Sequence, residues 1–238
     1  MLKNILKAIF VLSLVPAGLA AYVFFLYFTS DIDSLKKNNP KKDWVKIERV
    51  SYYAKWAIVV SEDWAFYEHQ GVDFNQLELV IKESIGKHKL TRGASTISQQ
   101  VVKNLFFSNE RSIIRKFKEM ILTYKLEQVL TKDRILELYL NIAELGEDLY
   151  GIKAASKFYF NKKPYALSAK EGAFLAMLLP SPKKYSISFR NRELTDYAKS
   201  TVDSILVKLR QAKIISEDQR VEMENETFTW EMDNYYFE

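Results

Sequence analysis

From residue 8 to residue 28 the chain carries no charge (AIFVLSLVPAGLAAYVFFLYF). At about 1.5 Å per helical residue this stretch spans the ~30 Å hydrocarbon core of a bilayer. Beyond a polar stretch from Thr29 to Asp43 the pattern changes, and no later run alternates as a half-buried strand would. Ile135, Leu138 and Tyr139 share one face of a helix opened by Thr131 and Asp133, and Val202, Ile205, Leu206 and Leu209 share another. Ser168 with Glu171, Ser216 with Gln219 and Thr96 with Gln99 have the spacing of capping boxes, in which each side chain satisfies the other residue's backbone N–H at a helix start. Pro180 and Pro182 end the apolar helix EGAFLAMLL. The pattern predicts a mainly α chain: residues 1–28 as a cytoplasmic tip and transmembrane helix, 29–43 as a linker, 44–215 as one helical domain and 216–238 as an acidic segment.

A cleaved signal peptide is the competing reading of the N-terminus. Its apolar region would run about 7–15 residues, and a cut near Ala20 or Ala21 would leave YVFFLYF on the mature protein. Lys3 and Lys7 precede the span while Asp31 and Asp33 follow it, so the positive-inside rule places the short N-terminus in the cytoplasm and the rest outside. Lys36, Lys37, Lys41 and Lys42 pull against that orientation.

Charge sharpens the picture more than composition does. The absence of cysteine excludes disulfides, zinc-thiolate sites and thiol nucleophiles. The net charge of +5 averages two opposed regions: Gly86 to Lys125 holds nine Lys and Arg against two Glu, whereas Ser216 to Glu238 holds eight acids against one Arg. A basic block of that density is a solvated helix face or a surface for a polyanion. Outside a membrane, lipid or lipid-linked phosphates match it better than nucleic acid does.

Three segments carry candidate chemistry. In SEDWAFYEHQGVD, a continuous helix would bring Glu62, Phe66 and His69 to one face. In RGASTISQQVVKNLFF, Thr96, Gln99, Gln100 and Lys103 form a polar stripe at a helix N-terminus, where the backbone dipole favours an anion, with Val101, Val102, Leu105 and Phe106 opposite. In RSIIRKFKEMILTY, Arg115, Lys118 and Glu119 fall within about 80° of Arg111, while Ile113, Ile114, Phe117, Met120, Ile121 and Tyr124 occupy the other side. Cations so arranged repel one another unless an anion binds.

These segments resemble the signature motifs of the peptidoglycan glycosyltransferases, ED-x-x-F-x-x-H-x-G, G-A-S-T-I-x-Q-Q-x-x-K-N and R-K-x-K-E, starting here at Glu62, Gly93 and Arg115. The I-L-E-x-Y-L-N run ending at Asn141, the Y-G-I-x-A-A segment from Tyr150, Tyr159-Phe160 and the stretch from Leu167 to Pro182 match in order, so the likeness covers roughly Val50 to Tyr185. Trp64 and Ala65 stand where the family commonly has basic or polar residues, and Glu147-Asp148-Leu149 replaces an often Gly-rich segment. These departures bear on substrate or partner contacts, since no residue given a chemical role lies among them.

The resemblance implies a lysozyme-like helical fold that polymerises lipid II with inversion at the anomeric carbon, releasing undecaprenyl pyrophosphate. It implies Glu62 as the base for the acceptor hydroxyl. Glu119 then assists the departing pyrophosphate, either directly or by orienting cations or a metal. Lys103, Arg111, Arg115 and Lys118 would neutralise the pyrophosphate, and Ser95, Thr96, Gln99 and Gln100 would hold the donor. Asp63, Phe66, His69 and Asn141 would support the site. No cofactor is required by this reading, and Mg2+ or Mn2+ stays open. The implied partners are lipid II, the growing lipid-linked strand, the membrane and cell-wall synthesis or division proteins, with no nucleic acid. The implied place is the outer, periplasmic side of a bacterial inner membrane.

Two other functions fit parts of the same residues. A lytic enzyme would use two carboxylates in such a cleft, but cutting a neutral glycosidic bond has no use for four cations. A silent lipid-binding scaffold has no need of both Glu62 and Glu119. Ser181-Pro182-Lys183-Lys184 fits the S-x-x-K of the transpeptidases of bifunctional penicillin-binding proteins, but no K-T-G follows, so a monofunctional enzyme is expected.

Overall fold

The computed structural model describes residues 18–27, 29–36, 43–87, 95–107 and 112–232. Along them helix follows helix, as the apolar spacing requires. The first is α1 (residues 18–27), followed by α2 (Tyr52–Glu62), α3 (Phe74–Lys87), α4 (Ile97–Phe106), α5 (Ile113–Val129) and α6 (Lys132–Ile142). A short antiparallel hairpin, β1 (Glu144–Gly146) and β2 (Leu149–Tyr150), pairs Glu144 with Tyr150 and Gly146 with Leu149. Strands this short cannot show alternation, which is why the sequence pattern does not reveal them. The chain continues through α7 (Ile152–Phe160), α8 (Ala169–Leu178), the short α9 (Pro182–Tyr185) and α10 (Ile187–Arg190), α11 (Asp196–Gln211), α12 (Glu217–Asn225) and α13 (Thr229–Met232).

Every residue of α8 is buried, and the helix starts at the expected capping box of Ser168 and Glu171. Its neighbours are α2 and α11. The approach of α2 is set by Gly172, where a Cβ would come within 2.6 Å of the Ala54 Cα, so only glycine lets these backbones meet. This contact fixes the line of α2, whose last residue is Glu62. A second group is built around α4, which packs on both α5 and α6. Val101 and Val102 of α4, Leu122 and Leu126 of α5, and Ile135, Leu136 and Leu140 of α6 are buried in the core.

The ends of the chain bear on how the domain is held. Of the uncharged span, residues 8–17 and 28 lie outside the described residues. Residues 18–27 are helical, with Phe24 and Phe25 exposed. Among the described residues no helix is long and apolar enough to cross a membrane. In the stretch read as a linker, Asp31–Lys36 forms a 3-10 helix whose Ile32 is fully buried. Buried Lys125 of α5 secures it, donating to the Ser30 carbonyl at 3.0 Å and pairing with Asp33 at 3.2 Å.

The acidic segment also docks, as far as residue 232. Phe228 and Trp230 are buried and stack at 5.0 Å between ring centroids, against Phe174 of α8. Lys170 donates to the carbonyls of Glu224 and Glu226 at the end of α12, where a cation suits the helix dipole. The segment's backbone carbonyls thus answer a buried lysine of the core, and the nearby Glu231 and Glu226 charges favour its protonated form.

Candidate active site

The expected continuous helix through Ser61–Asp73 is not what forms. Helix α2 stops at Glu62, Asp63 is its C-cap, and the next residues turn. Glu62, Phe66 and His69 therefore do not share a helical face. The break has a physical cause in Asp63, whose buried carboxylate is drawn toward two donors. One oxygen lies 2.9 Å from His69 Nε2, and the other accepts the Ile97 N–H at 2.9 Å, at the first turn of α4. His69 Nδ1 accepts the Gly71 N–H at 3.1 Å, so the proton is on Nε2 and points at Asp63. Gly71 has a φ of 93°, and a Cβ there would come within 2.8 Å of Thr123 Cγ2 on α5, which explains the glycine. Phe66 is fully buried, with Lys132 Nζ 4.6 Å from its ring centroid.

Left at the end of α2, the half-buried Glu62 turns toward α4. Its Oε2 accepts from Gln100 Nε2 at 2.8 Å, and Gln100 Oε1 accepts from the Tyr139 hydroxyl at 3.1 Å. Burial raises the Glu62 pKa above the ordinary carboxylate range. The Gln100 hydrogen bond and the charges of Lys208 and Lys103 oppose that rise, and Asp63 adds to it. Lys103 thus stands on the same side of α4 as Gln100, as the polar stripe predicted. Lys208, from α11, is a cation the sequence reading did not select; nothing in its spacing links it to Glu62.

Thr96 and Gln99 are buried, and their polar groups are committed to the capping box that starts α4. Thr96 Oγ1 also donates to the Gly71 carbonyl at 2.6 Å. These two residues, expected to hold the donor, also hold the helix start. Ser95 is exposed and accepts from Lys116 Nζ at 3.2 Å.

Glu119 lies buried on α5, paired with Arg115 one turn earlier and with Lys116 at 3.3 Å. Arg115 Nε is buried with no hydrogen-bond partner, so the guanidinium keeps an unanswered donor beside the carboxylate. Lys116 therefore bridges Ser95 and Glu119. It is the second residue of the R-K-x-K-E motif, to which the sequence assigns no separate role. Lys118 turns toward α1, its Nζ 5.7 Å from the Tyr22 ring centroid. Arg111 lies outside the described residues.

Asn141 is engaged with the backbone. Its amide donates to the Val45 and Glu137 carbonyls and its oxygen accepts the Val45 N–H, each at 2.8 Å, tying the segment before α2 to α6. Glu137 does the same for Trp44 Nε1 and the Ile47 N–H, at 2.8 and 2.9 Å.

Both Glu119 oxygens already face cations, and no group of three or more His, Cys, Asp or Glu that could hold a metal occurs among the described residues. What the site presents is a carboxylate biased toward holding a proton, and a second, cation-bound carboxylate linked through Lys116 to Ser95, just before the start of α4.

Comparison with known proteins gives the same direction. Residues 29–210 match the transglycosylase family. A biosynthetic peptidoglycan transglycosylase of Nitrosomonas eutropha is 37% identical over 187 residues, covering 77% of this chain and 75% of that protein. Proteins of the same description from Janthinobacterium sp. and Azoarcus sp. are 38% and 39% identical over 192 and 165 residues, covering 79% and 68% of this chain and 81% and 71% of theirs. With a match over most of its length and the motif residues gathered around α4, the chain belongs to the transglycosylase family.

Proposed function

We propose that this chain polymerises lipid II into β-1,4-linked peptidoglycan glycan strands. The observation that carries the reading is the raised pKa of Glu62 among Lys103, Lys208 and Gln100, with the Glu119–Arg115–Lys116 cluster at the other end of the α4 polar face. The 4-hydroxyl of the acceptor sugar attacks the anomeric carbon of the lipid-linked donor. As the C–O bond forms, the hydroxyl proton passes to Glu62, whose raised pKa makes it a stronger base than an exposed carboxylate. The bond from the anomeric carbon to the pyrophosphate oxygen breaks with inversion, and its electron pair leaves on that oxygen of undecaprenyl pyrophosphate. That group needs its charge neutralised more than it needs an acid. Lys103, Arg115, Lys116 and Lys118 supply the charge, arginine being suited to bidentate phosphate contact, and Glu119 keeps Arg115 and Lys116 in place.

Residues 8–28 cross the inner membrane in this reading, with the N-terminus in the cytoplasm and the helical domain on the outer, periplasmic side, where the lipid II headgroup lies. On α5, Ile113 is 89% exposed, Ile114 68% and Tyr124 54%, a face suited to the bilayer interface. Phe106 and Phe107, at the end of α4, are half-buried against the core.

The test is incubation of the full-length protein with labelled lipid II. Long glycan strands are expected. Shortened soluble muropeptides from preformed glycan would make it a lytic enzyme instead, and binding of lipid II without turnover would make it a scaffold.

A further inference from the structure

Tyr139 reads in the sequence as one more apolar-face residue of α6, and the reaction as described gives it no part. It is 1% exposed, and its hydroxyl is 3.1 Å from Gln100 Oε1. The other end of that amide, Nε2, is 2.8 Å from Glu62 Oε2.

A glutamine side chain can present either its oxygen or its nitrogen to a neighbour. Here the two ends face different groups, and only one arrangement satisfies both. With Oε1 toward Tyr139, the hydroxyl donates to it and the NH2 group donates to Glu62. Turned over, Oε1 would meet a carboxylate oxygen, two acceptors in contact. Burial and the nearby charges of Glu62 and Asp63 push the Tyr139 pKa well up, so its donor persists at any working pH.

We propose that Tyr139 is a positioning residue for the transfer reaction, acting through Gln100 to keep an N–H donor aimed at Glu62. The proposal rests on the reading of Glu62 as the base. It gives Gln100 a task in place of holding the donor substrate. Its hydrogen bond restrains how far burial raises Glu62, and it fixes which carboxylate oxygen stays free for the acceptor hydroxyl.

Among the described residues the other groups around Glu62 are few. Asp63 follows it in the chain, Lys103 comes from α4 and Lys208 from α11. On α8, Lys170 engages the Glu224 and Glu226 carbonyls, and Glu171 pairs with Lys162 at 2.8 Å. On α6, Glu137 is bound to Trp44, the Ile47 N–H and Arg134. None of these α8 and α6 charges is exchanged by the Tyr139 hydroxyl.

The experiment is the pH profile of kcat/KM for lipid II polymerisation by the full-length protein, its Tyr139→Phe and Gln100→Met variants, and the double variant. Without the hydroxyl the amide loses its preferred orientation. Glu62 then loses its donor part of the time, and its pKa rises. The acid limb of Tyr139→Phe should move to higher pH by roughly half a unit to one unit, the worth of one hydrogen bond. Gln100→Met should move it at least as far, and the double variant no farther than Gln100→Met, because Tyr139 acts through the amide. A merely structural role would lower turnover without moving the limb. A superimposable Tyr139→Phe profile, or a shift that adds in full to that of Gln100→Met, overturns the proposal. Should Tyr139→Phe fail to fold, an unmoved limb in Gln100→Met overturns it equally. Glu62→Gln separates the two levels: turnover retained in that variant removes Glu62 as the base, whereas a dead Glu62→Gln with an unmoved Tyr139→Phe removes only the Tyr139 link.

Discussion

The Asp63 carboxylate accepts the Ile97 backbone N–H at 2.9 Å, joining the end of α2 to the start of α4 across 34 residues of chain. The same carboxylate holds His69. Glu62, the proposed base, is the next residue toward the N-terminus, so its place depends on the contacts of its neighbour. Asp63→Ala would leave a helix-start N–H and the His69 ring without their acceptor in a buried setting. A loss of about 2 kcal/mol is expected, seen as a fall of about 4–8 °C in thermal midpoint, with activity reduced further than stability.

Glu62 itself should show the opposite relation of activity to stability. Its pKa is raised in the folded protein, so folding favours the protonated form. The stability it contributes is full below the unfolded carboxylate pKa and is lost as pH rises through the higher folded value. Glu62→Gln should therefore abolish polymerisation yet melt no lower than wild type at pH 7, with any gain shrinking as pH falls toward 4. Melting curves at the two pH values decide this; a variant that melts well below wild type at pH 7 would contradict it.

Arg115 and Lys116 both face Glu119, which is 2% exposed. Arg115→Ala leaves the buried carboxylate with one partner, and removing half of a buried pair typically costs about 3–5 kcal/mol. Lys116 remains, so the lower end of that range is expected, measurable by urea denaturation. Arg115→Ala/Glu119→Gln should recover part of this stability without recovering turnover, because the leaving pyrophosphate has lost its guanidinium.

On the outer face of α5, Ile113 and Ile114 are more than half exposed, and replacing both by Ser should change stability by no more than about 0.5 kcal/mol. If this face meets the bilayer, polymerisation of lipid II in vesicles should fall several-fold while the rate in detergent stays the same. Equal losses in both media would remove the interface role.

By itself the sequence determined the helical elements and the motif residues. The capping boxes at Thr96, Ser168 and Ser216 form as their spacing predicts, because a cap is decided by residues within one turn. Periodicity likewise placed Lys103 with Gln100 and Arg115 with Glu119, since residues three or four apart share a helix face whatever surrounds it. Tertiary structure decided where α2 ends, because the Ile97 N–H that helps draw Asp63 out of the helix comes from the start of α4. It also decided that Lys208 approaches Glu62, that Tyr139 carries a polar contact, and that Phe228 and Trp230 bring the acidic segment onto the core. Each of these is a contact between residues far apart in sequence, and local pattern carries no information about which distant partner will satisfy a buried polar group or cover an apolar one.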